Sequence, residues 1–283
     1  GSSHSGSSPE FGCPAPLESL GLQRCPHARK PLKPGQPCRH GSGTSIMGPR
    51  KRPAAASAVA SQAPSKARRS SAPLAQAGME GGVAFAGSID EKGSELRYDP
   101  ALLKPGDARE LAAELQRGIA WEQGTVRVFG KTYPEPRLTC YYGDPQLAYT
   151  YSGRTVQPRP WAECPAVRRL RELVERATGE SFNTVLCNRY RSGQDTMGWH
   201  ADNEAVYGPT PTIASVSLGA ERDFDLREVN APKRRLRVRL LSGSLLVMLG
   251  CTQQFWQHSV PRRKAVSEER INLTFRQVLS RPA

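Results

Sequence analysis

The sequence predicts a mainly β fold with flanking helices: a double-sheet jelly roll with two N-terminal helices. Three observations lead there. From Phe182 onward the chain divides into short β-prone runs separated by Gly, Pro, Asn or Ser, the pattern of many short strands folding into a sandwich or barrel. The two stretches with helical periodicity both end before Gly179. The run Arg270-Ile271-Asn272-Leu273-Thr274-Phe275-Arg276 alternates polar and apolar residues throughout, as a strand with two unlike faces does.

Taken in order, residues 1–12 are Ser/Gly-rich and read as expression-vector residue. Residues 13–82 form a basic Ala/Ser/Pro-rich tail, too poor in apolar residues to build a core and so expected to be disordered. Met47 is expected to be the natural start. The clusters Arg50-Lys51-Arg52 and Lys66, Arg68, Arg69 fit a nuclear-targeting or DNA-tethering tail, and equally a solvated linker. The folded part begins near Val83, with residues 83–160 as an N-terminal extension and 161–283 as the core. Asp107 and Glu110 have capping-box spacing, so a helix is expected over 108–115 with Gly118 as its stop. A second helix is expected over 165–177, where Val167, Leu170, Val174 and Ala177 form one stripe and Gly179 follows. Strands are expected over 126–129, 137–142, 182–190, 212–218, 224–228, 236–241, 245–249 and 271–278.

The formal charge is +14 over 283 residues, which favours a polyanionic partner. It is unevenly spread, because residues 1–80 hold 11 basic and 3 acidic residues. Cys140, Cys164, Cys187 and Cys251 stand singly in apolar settings and are expected to be buried free thiols of a reducing compartment. Cys13, Cys25 and Cys38 lack zinc-like spacing. No signal peptide is visible, and no stretch reaches the roughly 20 apolar residues of a membrane span, so a membrane partner is not expected. A monomer is expected.

Of the five histidines, only His200 and His258 fall inside the expected domain. His200 and Asp202 are two apart, so on a strand both side chains share a face. A third ligand from a distant strand, His258, completes two imidazoles and one carboxylate, a set suited to Fe(II) with coordination positions left open. In the alternating run, Ile271, Leu273 and Phe275 belong in the core, and Arg270, Asn272, Thr274 and Arg276 share the other face. Buried guanidiniums are costly unless they meet an anion, and a dicarboxylate such as 2-oxoglutarate supplies one. An edge strand with its polar face in water is the alternative.

The set Asn188-x-Tyr190, His200-x-Asp202, His258 and Arg270-x-Asn272-x-Thr274-x-Arg276 resembles the AlkB family of Fe(II)/2-oxoglutarate dioxygenases. The likeness runs over residues 100–279 and is strongest to the nuclear branch that repairs alkylated bases in duplex DNA. It implies that His200, Asp202 and His258 bind Fe(II). It implies further that Asn188, Tyr190, Arg270, Asn272, Thr274 and Arg276 line the 2-oxoglutarate site, one arginine clamping the distal carboxylate. The reaction implied is oxidative dealkylation with O2, releasing succinate, carbon dioxide and an aldehyde. A base in a duplex must be flipped out to reach such a site, and the resemblance makes Val128-Phe129-Gly130 the wedge that fills the gap. Residues 83–160 then carry a nucleotide-recognition lid, with Tyr149, Tyr151 and Ser152 near the flipped base and Arg137 beside it. Arg262, Arg263 and Lys264 would grip phosphates. Many relatives carry a second aspartate where Asn203 stands, followed here by Glu204, so a weaker preference for cationic over neutral lesions is expected. Expected substrates are 1-methyladenine, 3-methylcytosine and etheno adducts. The rivals are a demethylase of methylated RNA and a non-catalytic nucleic-acid-binding jelly roll.

Overall fold

The alternating run forms a strand in the interior of the larger of two antiparallel sheets. The computed structural model describes residues 79–128, 131–151 and 154–279. Its strands are β1 (Phe85–Ser88), β2 (Ser94–Asp99), β3 (Thr125–Val128), β4 (Lys131–Pro134), β5 (Leu138–Gly143), β6 (Tyr149–Tyr151), β7 (Arg154–Val156), β8 (Thr184–Tyr190), β9 (Met197–His200), β10 (Ile213–Gly219), β11 (Arg222–Glu228), β12 (Arg235–Leu240), β13 (Ser244–Gly250), β14 (Trp256–Val260) and β15 (Arg270–Arg276). The helices are α1 (Pro105–Gly118), α2 (Pro165–Thr178) and the short α3 (Thr252–Phe255). The larger sheet runs β1-β2-β13-β10-β15-β8-β5, the smaller β12-β11-β14-β9, and β3-β4 and β6-β7 are separate hairpins. The mainly β jelly roll with two preceding helices is the observed architecture.

Two apolar clusters explain the layering. One joins α1 and α2, through Leu111, Leu115, Val167, Leu170 and Val174, to Val216, Val247, Leu273 and Phe275 on one face of the larger sheet. The other joins Ile213, Leu246 and Met248, on its opposite face, to Phe224, Leu226, Trp256 and Val260 of the smaller sheet. β13 is therefore apolar on both faces, which suits a strand covered on both sides, whereas the inner face of β10 turns polar after Ile213, at Ser215 and Ser217. Each such Val, Leu or Phe contributes about 1.5–3 kcal/mol on burial.

Both helices begin at a proline, whose fixed φ and missing N–H suit the first helical position. This corrects the expected capping box: α1 starts at Pro105, its N-cap is Lys104, and no side chain caps it. α2 ends as expected at Gly179, which takes a left-handed φ of 75° while its N–H donates to Glu175 O at 2.9 Å. Cys140, Cys164 and Cys187 are buried free thiols, whereas Cys251 is disulfide-bonded, against the expectation of a fourth free thiol. No helix among the described residues is long and apolar enough to cross a membrane.

Candidate functional site

Three side chains meet between the sheets. β9 and β14 are antiparallel neighbours that set His200 directly opposite His258. Their rings lie 4.2 Å apart, centroid to centroid. Asp202 is close by, and the candidate ligand atoms of His200, Asp202 and His258 all fall within 4.8 Å of one another. One expectation is corrected: β9 ends at His200, so Asp202 lies beyond the strand and does not owe its direction to strand pleating. Its position comes from two other contacts. Arg276 of β15 donates to Asp202 Oδ2 from Nε (3.2 Å) and Nη2 (2.8 Å). The Asp202 backbone N–H donates to Gln253 Oε1 at 2.9 Å.

Protonation suits the trio to a cation. His200 Nδ1 faces the Gly198 carbonyl at 2.9 Å. A carbonyl only accepts, so Nδ1 carries the proton and Nε2 keeps its lone pair. Burial pushes His258 down to about 3, with His200 adding to the shift, and burial likewise lowers His200. Both imidazoles are therefore neutral near pH 7. Burial opposes the charged form of Asp202, but Arg276 and the two imidazoles outweigh it and hold the carboxyl at about 2. With Oδ2 bound to Arg276, Oδ1 faces His200 Nε2 at 3.9 Å.

The same pocket is lined by Arg137, Asn188, Tyr190, Glu204, Arg270, Asn272, Thr274 and Arg276. All seven residues of β15 are buried, so its polar face is interior and the edge-strand alternative fails. β8 lies opposite, with Asn188 facing Asn272 and Tyr190 facing Arg270. Asn272 Oδ1 accepts from Asn188 Nδ2 (3.3 Å) and Thr274 Oγ1 (3.1 Å), while Asn272 Nδ2 donates to Ser215 Oγ at 2.8 Å. The amides and the hydroxyl are thus largely satisfied by one another. Arg270 is not. Only Nη2 has a partner, Ser217 Oγ at 2.9 Å, and Nε and Nη1 are buried without one. Burial lowers its pKa to about 10, so it stays cationic at neutral pH. A buried cation with two idle donors is the cradle a carboxylate would fill. Arg276, by contrast, is committed to Asp202. The residues present therefore fit both a divalent metal and a dicarboxylate.

Other expected site residues divide. Arg137 is buried, donating from Nε to Asn188 Oδ1 at 2.9 Å and pairing with Glu135 at 3.4 Å. Glu204 has a buried Oε2 without a partner, and burial raises its pKa. Asn203 is exposed and does not line the pocket. Arg262 and Lys264 are exposed, whereas Arg263 pairs with Asp223 at 2.5 Å. Phe129, Gly130 and Ser152 lie outside the described residues, as do the side chains of Val128, Tyr149 and Tyr151. Sequence reasoning missed Ser215 and Ser217, the partners of Asn272 and Arg270. Their signal was available, since they alternate with Ala214, Val216 and Leu218 in one otherwise apolar strand. It also missed Phe224, stacked on His258 at 5.0 Å, and Gln253.

A jelly roll that gathers such ligands beside an unpaired arginine defines the class of Fe(II)/2-oxoglutarate-dependent oxygenases. Comparison with known proteins agrees. The family described as the 2OG-Fe(II) oxygenase superfamily matches residues 95–276. The DNA oxidative demethylase ALKBH2 of Bos taurus is 42% identical over 203 residues, spanning 68% of this chain and 72% of that protein. ALKBH2 of Homo sapiens is 42% identical over 201 residues, spanning 68% and 76%. The alpha-ketoglutarate-dependent dioxygenase alkB homolog 3 of Bos taurus is 41% identical over 192 residues, spanning 65% and 66%. The chain belongs to the AlkB family of 2OG-Fe(II) oxygenases, within its DNA-repair branch. It is accordingly a dioxygenase that uses Fe(II), 2-oxoglutarate and O2.

Proposed function

We propose that this enzyme oxidatively removes N-alkyl groups from damaged bases in DNA, chiefly duplex DNA, after flipping the base out of the stack. The observation that carries the reading is the sharing of one buried pocket by a neutral His200–His258 pair, an ionised Asp202 and the unpaired Arg270. When bound, Fe(II) with 2-oxoglutarate and O2 supplies the oxidising power that hydroxylates the alkyl carbon, after which the group leaves as an aldehyde.

The chain's own residues do the rest. His200 Nε2, His258 and Asp202 Oδ1 hold the metal. Arg276 keeps Asp202 ionised and its second oxygen occupied. Arg270 takes the distal carboxylate of 2-oxoglutarate through the two donors it has free. Asn188, Tyr190, Asn272 and Thr274 shape the walls around it. Glu204 offers its idle Oε2 to a base N–H at the pocket's mouth. Val128, Phe129 and Gly130 act as the wedge. Tyr149, Tyr151 and Ser152, with Arg137, complete a nucleotide-recognition lid. Arg262 and Lys264 are free to meet phosphates, with Arg263 shared between them and Asp223. The substrates are 1-methyladenine, 3-methylcytosine and etheno adducts. The enzyme acts as a monomer in the nucleus, where its basic tail would take it.

Mass spectrometry of alkylated oligonucleotides, single- and double-stranded DNA and matched RNA, with and without 2-oxoglutarate, tests this. Loss of alkyl mass only with 2-oxoglutarate, and fastest in duplex DNA, is expected; fastest turnover of RNA would replace DNA as the substrate. His200→Ala should abolish turnover and leave DNA binding within about twofold by fluorescence anisotropy, because phosphate contacts carry most of that affinity.

A further inference from the structure

Because β9 stops at His200, the strand does not aim the Asp202 carboxylate. Arg276 grips that carboxylate from β15, while the backbone that bears it is held by one side chain, Gln253. Gln253 is 2% exposed. A buried primary amide is costly unless its polar atoms are used. Its Oε1 accepts the Asp202 N–H at 2.9 Å, and its Nε2 points to Met248 Sδ at 3.3 Å, a weak acceptor. The Asp202 N–H needs an acceptor, and of the two amide ends only the oxygen accepts, so the amide orientation is fixed with Oε1 toward Asp202.

Gln253 itself stands on a fixed base. The Cys251 N–H just before α3 donates to Gly93 O at 3.0 Å. Thr252 Oγ1 accepts from Glu95 N and lies against Glu95 O, both at 3.1 Å, and contacts Leu249 O at 2.6 Å. α3 is thereby tied to β2 and β13. It leads straight into β14, where His258 stands opposite His200. The contacts close a ring: His200 to Asp202 along the chain, Asp202 to Gln253 by hydrogen bond, Gln253 to His258 along the chain, and His258 back to His200 across the ladder.

We propose that Gln253 is the positioning residue that closes this ring, setting how tightly the three-residue site holds a divalent metal without touching the metal itself. The inference rests on the reading of His200, Asp202 and His258 as metal ligands. Outer-shell partners that orient ligands change metal affinity by about 10–100-fold when removed.

The test is titration of the full chain with Mn(II) alone, followed by electron paramagnetic resonance, with thermal melts of the metal-free proteins alongside. Gln253→Met keeps length and removes the acceptor; it should weaken Mn(II) binding about 10–100-fold. Gln253→Glu restores an acceptor oxygen and should recover most of that loss. Gln253→Asn withdraws the amide by one methylene and is the milder variant should the Met protein not fold; it should weaken binding several-fold. Mn(II) affinities of the Met and Asn variants within about twofold of the parent, whatever happens to their melting temperatures, would show a purely structural amide and overturn the inference. A parent protein that binds no Mn(II), or binds it unchanged after His258→Ala, would instead refute the ligand reading beneath it.

Discussion

Replacing Arg270 with methionine should weaken cosubstrate binding and leave the empty protein no less stable. The two effects have opposite signs because the guanidinium lies buried with two N–H donors idle and one on Ser217. With 2-oxoglutarate bound, those donors face a carboxylate. Hydrogen bonds to charged groups are worth about 1.5–3 kcal/mol each, so losing two costs about 3–6 kcal/mol, or at least about a hundredfold at ~1.4 kcal/mol per decade. Without the cosubstrate the same guanidinium is an interior cation with no carboxylate beside it, resting only on Ser217 Oγ and the Tyr190 ring at 5.1 Å. Exchanging a buried charge for an apolar group of similar volume is neutral or stabilising by about 1–4 kcal/mol. About 1 kcal/mol of that is offset by leaving the Ser217 hydroxyl alone. The KM for 2-oxoglutarate, measured by succinate formation, should rise about a hundredfold or more, while the melting temperature without 2-oxoglutarate stays level or rises. A KM within about fivefold of the parent would refute the assignment of Arg270 as the clamp. So would a melting temperature that drops by more than about 5 °C, a loss of over 1 kcal/mol for a domain this size, since the residue would then be holding the fold.

Two further outcomes follow from single positions. Asn203→Asp places a charge on an exposed position between the pocket-lining Asp202 and Glu204, where attraction to a cationic base is screened but real; repair of 1-methyladenine relative to an etheno adduct should rise several-fold by mass spectrometry, and equal changes on both would sink the lesion-charge argument. Asp90 is buried, which opposes its charge, yet hydrogen bonds from Ser94, Trp256 and Lys92 outweigh this and lower its pKa. A carboxyl depressed in the folded state stabilises above its unfolded value of about 3.9 and loses that contribution as pH falls through the folded value. The parent's melting temperature should therefore fall more steeply than that of Asp90→Asn below about pH 4; parallel curves would show that Asp90 contributes nothing.

What the sequence made legible was whatever repeats: every two residues in a strand, and every three to four in α2, which ends at Gly179 as expected. Arg270 to Arg276 declared both its faces, and burial on both sides agrees with that alternation. Ser215 and Ser217 carried the same signal more faintly, as small polar residues inside an apolar strand. Strand ends were not legible. Two residues between His200 and Asp202 suggested a shared face, but nothing local marks where β9 stops, because its last pairing is with His258, far away in the chain. β1 and β2 were missed for a like reason: both are short, β2 is held by its distant partner β13, and β1 is held only by β2. Asp107 looked like a cap, yet Pro105 had already fixed the start of the helix. The basic loop read as three free charges until the fold brought Asp223 to Arg263.

β15 leaves no slack in alignment. If it slipped by one residue against β10 and β8, every side chain would change faces. Two guanidiniums, an amide and a hydroxyl would be driven among Val167, Leu170 and Val174, and Ile271, Leu273 and Phe275 would plug the space meant for a dicarboxylate. The mispaired sheet would fail as a fold and as a catalyst at once. Any chain that folds stably enough to persist has thereby already proofread the orientation of its own cosubstrate cradle.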